Sequence, residues 1–168
     1  MSRGFVKEDD QEDVPMVPPR APLPQGIPNY VTRVGMDELL AERQALMDER
    51  DNLDISNENE RRIAVNHITS KLQLLNNRIT EARIINLKEQ PQDEIRFGAT
   101  VILKTEGNKD IQTFQIVGVD EADISRGKIS FLSPLARLLT NKKVGDKVVL
   151  KHPAGSRVFE IMNITYHK

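Results

Sequence analysis

The sequence predicts an α+β protein in which an antiparallel α-helical hairpin precedes a compact antiparallel β-sheet carrying one helix. Three observations predict it. Apolar residues recur at intervals of three and four from Met36 to Leu53 and again from Ala64 to Ala82, the spacing of amphipathic helices. A short polar stretch, Asp54 to Asn59, separates the two, so the second helix returns beside the first. From Ile95 onward the period changes to two, as in half-buried strands. The 168 residues thus divide into a tail (1–29), a hairpin (30–87) and a sheet domain (88–168).

The tail holds six of the nine prolines and the acidic run Glu8-Asp9-Asp10-Gln11-Glu12-Asp13. Each proline removes a backbone donor and blocks a helix, and few apolar residues offset the entropy of ordering. A flexible or polyproline-like segment is expected. The hairpin begins with Thr32 as N-cap, with Asp37 and Glu38 early in the helix, where its dipole favours negative charge. Leu39, Leu46 and Leu53 fall seven apart on one seam, interrupted by Arg43 and Arg50. Asn57 and Glu60 have capping-box spacing for the second helix. Its stripe, Ala64, Ile68, Leu72, Leu75, Ile79 and Ala82, is cleaner. Each arm is expected to run ~20–25 residues, or ~30–37 Å.

In the sheet domain, Phe97 to Lys104 and Ile111 to Val119 read as paired strands around the turn Glu106-Gly107-Asn108-Lys109. Lys128 to Leu132, Lys147 to Lys151 and Arg157 to Tyr166 read as three more. Ser133-Pro134 places a cap before a proline at the first helical position, with Leu135, Leu138 and Leu139 as the apolar face of a short helix.

Composition narrows the chemistry. There is no Cys, which excludes disulfides, thiolate metal sites and a Cys nucleophile. The net charge of −1 provides no overall field for nucleic acid or anionic membrane. Neither a signal-peptide run nor a membrane-spanning run is seen, so a soluble, cytoplasmic protein is expected. His67, His152 and His167 have no close metal-ligand spacing, and no Gly-rich phosphate loop or nucleophile elbow occurs. What remains is the hairpin end, with Asp51, Asp54, Glu58 and Glu60. These acids either cap helices and stay solvated, or share a hard cation such as Mg2+ with another protein's cleft.

Several runs in order resemble the bacterial GreA/GreB transcript-cleavage and elongation factors. They are Phe97-Gly98-Ala99-Thr100-Val101, Ile116-Val117-Gly118-Val119-Asp120-Glu121-Ala122-Asp123, Ser133-Pro134-Leu135-Ala136-Arg137, and Val144-Gly145-Asp146 followed by Pro153-Ala154-Gly155. Thr32, Gly35 and Leu39 match the family's hairpin entry, and Glu81 to Ile85 its exit. The resemblance implies an FKBP-like C-terminal domain that docks on RNA polymerase, with Asp120, Glu121, Ser133, Pro134 and Arg137 in the docking motifs. It implies a hairpin in the polymerase secondary channel that stimulates the polymerase to cleave backtracked RNA, with Asp51 and Asp54 near a Mg2+ shared with the polymerase active site. The alternatives to it are a channel regulator without cleavage activity or an interaction module for a partner other than polymerase. On this reading the chain is a monomer with no cofactor of its own. It is not itself an enzyme, and it touches nascent RNA and DNA only through the elongation complex. The family's tip carries an Asp and a Glu three residues apart; here Asp51 and Asp54 keep the spacing with Asp for Glu, and Ile55 precedes Glu58 by three. The arms are shorter than the family's by about two turns, or ~10 Å.

Overall fold

The protein is described by a computed structural model covering residues 16–167. The acidic run Glu8 to Asp13 lies outside the described residues. Element order is β1 (Asn29–Val31), α1 (Arg33–Asp51), α2 (Glu58–Glu81), β2 (Ala82–Ile84), β3 (Thr100–Thr105), β4 (Ile111–Val117), β5 (Lys128–Ser130), α3 (Pro134–Leu139), β6 (Lys147–His152) and β7 (Gly155–Thr165).

The hairpin forms as its pattern predicts. Thr32 Oγ1 accepts from the Gly35 N–H, and Asn57 Oδ1 accepts from the N–H groups of Asn59 and Glu60. Leu39 on α1 and Ile68, Leu72 and Leu75 on α2 are the buried stripe; Leu39 packs with Leu75, which is fully buried. Burying one such side chain contributes about 2 kcal/mol. Leu46, Ile79 and Ala82 are partly buried and pack against the cluster of Val31, Leu39 and Leu75. Asp37 and Glu38 fall after the first turn of α1, which contains no acid.

A feature with too few residues to show as a pattern closes the hairpin's base. β1 and β2 pair in parallel, Asn29 with Ala82 through Val31 with Ile84, so the chain enters and leaves the hairpin through one small sheet.

The second domain is a five-stranded sheet in the order β5-β4-β3-β7-β6. It is antiparallel from β4 to β6, but β5 joins β4 in parallel, Gln115 with Lys128 through Val117 with Ser130. The intervening segment, with a short 3-10 turn at Ile124–Arg126 and Gly127 at φ 71°, crosses back before β5 starts. A register shift between Ile102 and Leu103 helps curl the sheet around its core. Val101, Leu103, Ile116, Leu139, Phe159 and Ile161 meet there. On α3 it is Ala136 and Leu139 that bury; Leu138, expected inside, is exposed, because the six-residue helix presents only a narrow face.

Residues 16–28 depart from the expected flexible tail. Val17, Pro18 and Arg20 line one cavity together with Leu46 and Leu74 of the hairpin and Val119 and Asp120 of the sheet domain, and Arg20 pairs with Asp120. At the other end of the chain, the Tyr166 hydroxyl donates to the Glu94 carbonyl at 2.6 Å and accepts from the Arg96 N–H at 2.8 Å.

Two outcomes follow for stability. A Cβ on Gly118 would lie 2.4 Å from the Tyr30 carbonyl oxygen, so Gly118→Ala is expected to push β1 away and cost about 2 kcal/mol in urea unfolding. Burial pushes the Tyr166 phenol above its ordinary value. The folded state therefore holds this proton more tightly, and the contribution is complete below ~10 and lost as pH rises toward the folded value. Tyr166→Phe is expected to cost about 1 kcal/mol at neutral pH and to flatten the alkaline loss of stability.

Candidate functional site

The two ends of the hairpin differ in chemistry. At the tip, α1 stops where the Asn52 N–H and Nδ2 both donate to the Asp48 carbonyl, at 3.0 and 2.8 Å. Residues 52–57 form the connection, and α2 starts on the Asn57 cap. Asp51, Asp54, Glu58 and Glu60 are all exposed. Glu58 and Glu60 stand in the first turn of α2, where the helix dipole welcomes them. Asp51 stands in the last turn of α1, where the dipole opposes it, so helix stability does not explain an acid there. Its contact with Arg50 is 3.9 Å, too long and too exposed to offset this.

Among the described residues no three Asp, Glu, His or Cys side chains form a group able to hold a metal ion. The exposed tip acids therefore form no three-ligand group that would fit a resident Mg2+.

The base is the opposite case. Asp120 and Glu121, expected to face a partner, have side chains 7% and 3% exposed, and both are engaged within the chain. Asp120 Oδ1 accepts from Arg20 Nε at 3.0 Å, and its Oδ2 accepts from Arg78 Nη1 at 3.0 Å. Arg20 also makes a two-pronged contact with Glu42, Nη1 to Oε1 at 2.9 Å and Nη2 to Oε2 at 3.0 Å. Hydrogen bonding to Glu42, with Asp120 nearby, raises the Arg20 pKa further, so this cation is permanent. Arg78 Nη2 donates to the Ala21 carbonyl, and its own carbonyl accepts from Asn29 Nδ2.

Glu121 points the other way along the junction. Its Oε1 accepts from the Thr32 hydroxyl at 2.6 Å and its Oε2 from Lys128 Nζ at 3.1 Å. Thr32 thus caps α1 and holds the sheet domain with the same oxygen. Gly35 has no side chain because a Cβ there would lie 2.6 Å from Glu121 Oε1. Tyr30, Phe97 and Phe131 complete the junction as a triangle of tilted or edge-on rings, with centroids 5.6–5.8 Å apart.

Of the other expected docking residues, Ser133 caps α3. Its Oγ accepts from the Ala136 N–H and donates to the Ser130 carbonyl. Pro134 and Arg137 are exposed on the outer side of α3, next to Leu138. Sequence reasoning missed Arg20, Arg78 and Thr32 as partners of the acidic pair. One signal existed: Arg20 is the sole charged residue between Val14 and Asn29.

The comparisons with known proteins concern mainly the sheet domain. Residues 90–166 match the family described as "Transcription elongation factor, GreA/GreB, C-term". The chain is 38% identical over 99 residues to a protein of Maricaulis maris named transcription elongation factor GreA, a match covering 59% of this chain and 63% of that one. It is 41% identical over 88 residues to the protein of that name in Mesorhizobium japonicum, covering 52% and 56%. The chain thus matches less than two thirds of the length of these relatives. A solved structure of a prokaryotic elongation factor GreA/GreB from Nitrosomonas europaea aligns at 18% identity over 82% of this chain and 97% of that one, with a TM-score of 0.43. That likeness is too remote to argue from.

The clasp makes a measurable prediction. Glu121→Gln keeps the shape but removes the charge that balances Lys128, and is expected to destabilise the protein by about 3 kcal/mol. Arg20→Ala should cost less in unfolding, about 1–2 kcal/mol, and should release residues 16–28 to limited proteolysis.

Proposed function

We propose that this chain, whose residues 90–166 match the GreA/GreB C-terminal family, is a transcription elongation factor of that family that acts on RNA polymerase. The sheet domain docks on the enzyme, the hairpin enters the secondary channel, and the tip approaches the catalytic centre. There it stimulates the polymerase to cleave the 3′ end of backtracked RNA. The cleaving enzyme is the polymerase, and so is the holder of the Mg2+. One or two of Asp51, Asp54, Glu58 and Glu60 would add to a cation already bound there. Contact with the nascent RNA and DNA is indirect, and the work is cytoplasmic.

One observation carries this reading: a domain of the elongation-factor family is clasped to a helical arm whose free end exposes four carboxylates. The 24 residues of α2 span ~36 Å, so the acids stand well away from the docking domain. The clasp makes the arm an extension of that domain rather than a separate body. Pro134 and Arg137, exposed on α3, remain candidates for polymerase contact. Asp120 and Glu121 instead serve by holding the arm.

The unclustered acids favour a second reading, in which the chain occupies the channel and regulates the polymerase without promoting cleavage. No helix among the described residues is long and apolar enough to cross a membrane, and nothing in either reading needs one.

Backtracked elongation complexes incubated with Mg2+ and the protein separate the readings. Shortened 3′ ends, lost in the combined variant Asp51→Ala, Asp54→Ala, Glu58→Ala and Glu60→Ala, are the expected result. Cleavage that survives this variant removes the tip from the mechanism. Binding without cleavage leaves the channel-occupying reading, and absence of any binding to polymerase overturns both.

A further inference from the structure

Where β1 and β2 end together, a groove of about 500 Å3 opens beside the start of α1. Its lining includes Arg33, Val34, Ile84, Leu87, Lys88 and His167, and no Asp or Glu among the described residues. In a chain of net charge −1, a groove whose charged lining residues, Arg33 and Lys88, are both cations is a local departure. Arg33 and Lys88 are exposed and have no ion-pair partner among the described residues. Arg33 is also the first residue of α1, where the helix dipole disfavours positive charge. Helix stability therefore does not account for it, and residues that break a local rule concentrate at functional surfaces.

The floor is aliphatic and open to solvent. Val34 is 45% exposed and Ile84 is 42% exposed. Ile84 also carries an unused backbone edge. The Ile85 N–H donates to the Val31 carbonyl at 3.0 Å. By the two-residue alternation of a strand, the N–H and C=O of Ile84 point away from β1. The small sheet has only these two strands among the described residues, so the edge is free.

A cationic rim, an aliphatic floor and a free strand edge suit one kind of occupant. We propose that this groove docks an extended, acidic segment of a protein partner. The segment adds to β2 as a third strand, sets apolar residues against Val34 and Ile84, and places carboxylates beside Arg33 and Lys88. Nucleic acid fits less well: no Phe, Tyr or Trp lines the groove to stack a base, and a phosphate backbone makes no use of a strand edge. The inference does not depend on the polymerase reading, since none of the tip acids, Pro134 or Arg137 lines the groove and the partner is defined only by its chemistry.

The test uses the full chain, isotope-labelled for amide NMR, and three probes: a short peptide alternating Glu and Val, one alternating Glu and Ser, and a single-stranded RNA of similar charge. The Glu-Val peptide is expected to shift residues 32–34 and 82–88 and to protect the Ile84 amide from exchange. The combined variant Arg33→Glu and Lys88→Glu should weaken that binding at least about tenfold. It should fold normally, because an acid at the first helical position is favoured by the dipole. Ile84→Pro, which removes the outward N–H while leaving the inward pairing of Arg83 and Ile85, should weaken binding as well. Equal binding of the Glu-Ser peptide, shifts located elsewhere on the chain, or preferential binding of the RNA at the groove would each overturn the proposal.

Discussion

Two neighbouring buried carboxylates, Asp120 and Glu121, hold this molecule in one shape. A carboxylate removed from water must be matched by charge and hydrogen bonds, or the fold does not form around it. Because they are consecutive, the pair can serve two sets of partners. Asp120 gathers Arg20 from the N-terminal segment and Arg78 from the end of α2. Glu121 gathers Thr32 from the start of α1 and Lys128 from β5. Both arms of the hairpin, the segment before it and the sheet domain are thereby tied to one short loop. Gly35 and Gly118 are bare because the close approach leaves no room for a side chain at either position.

This arrangement separates the duties of the acids in the chain. Those at the base neutralise cations and disappear into the structure. Those at the tip are left exposed, Glu58 and Glu60 in the first turn of α2 and Asp51 in long contact with Arg50. A helical arm fixed at one end transmits the position of its domain to its far end with little loss, since packed helices and ion pairs resist bending more than a linker does. The parallel β1–β2 pair adds to this, because both strands of the hairpin's neck must move together.

The elements with long periodic patterns were legible in advance. Both helices, the Thr32, Asn57 and Ser133 caps, and the five strands of the sheet follow from local spacing that each segment carries by itself. Features that depend on a distant partner were not. Asp120 and Glu121 sit in a run that looks like a solvated acidic loop, and nothing nearby reveals cations arriving from 100 and 42 residues away in sequence. The Pro-rich segment lacks apolar content enough to order itself, yet Arg20 pins it because two carboxylates were already waiting there. β1 and β2 are three residues each, too short for any period to show. The direction of β5 was open for a similar reason: a three-residue strand pairs equally well either way, and the crossing segment before it decides.

The sequence by itself determined the order of parts, a helical hairpin with an acidic end followed by a sheet domain with one helix, because periodicity and capping are properties of neighbouring residues. It also carried the family likeness of residues 90–166, which rests on residue identity. Only the tertiary structure decided which acids are free to act and which are consumed in holding the arm. That choice depends on where Arg20, Arg78, Thr32 and Lys128 meet in space, and a desolvated charge is defined by all its neighbours at once.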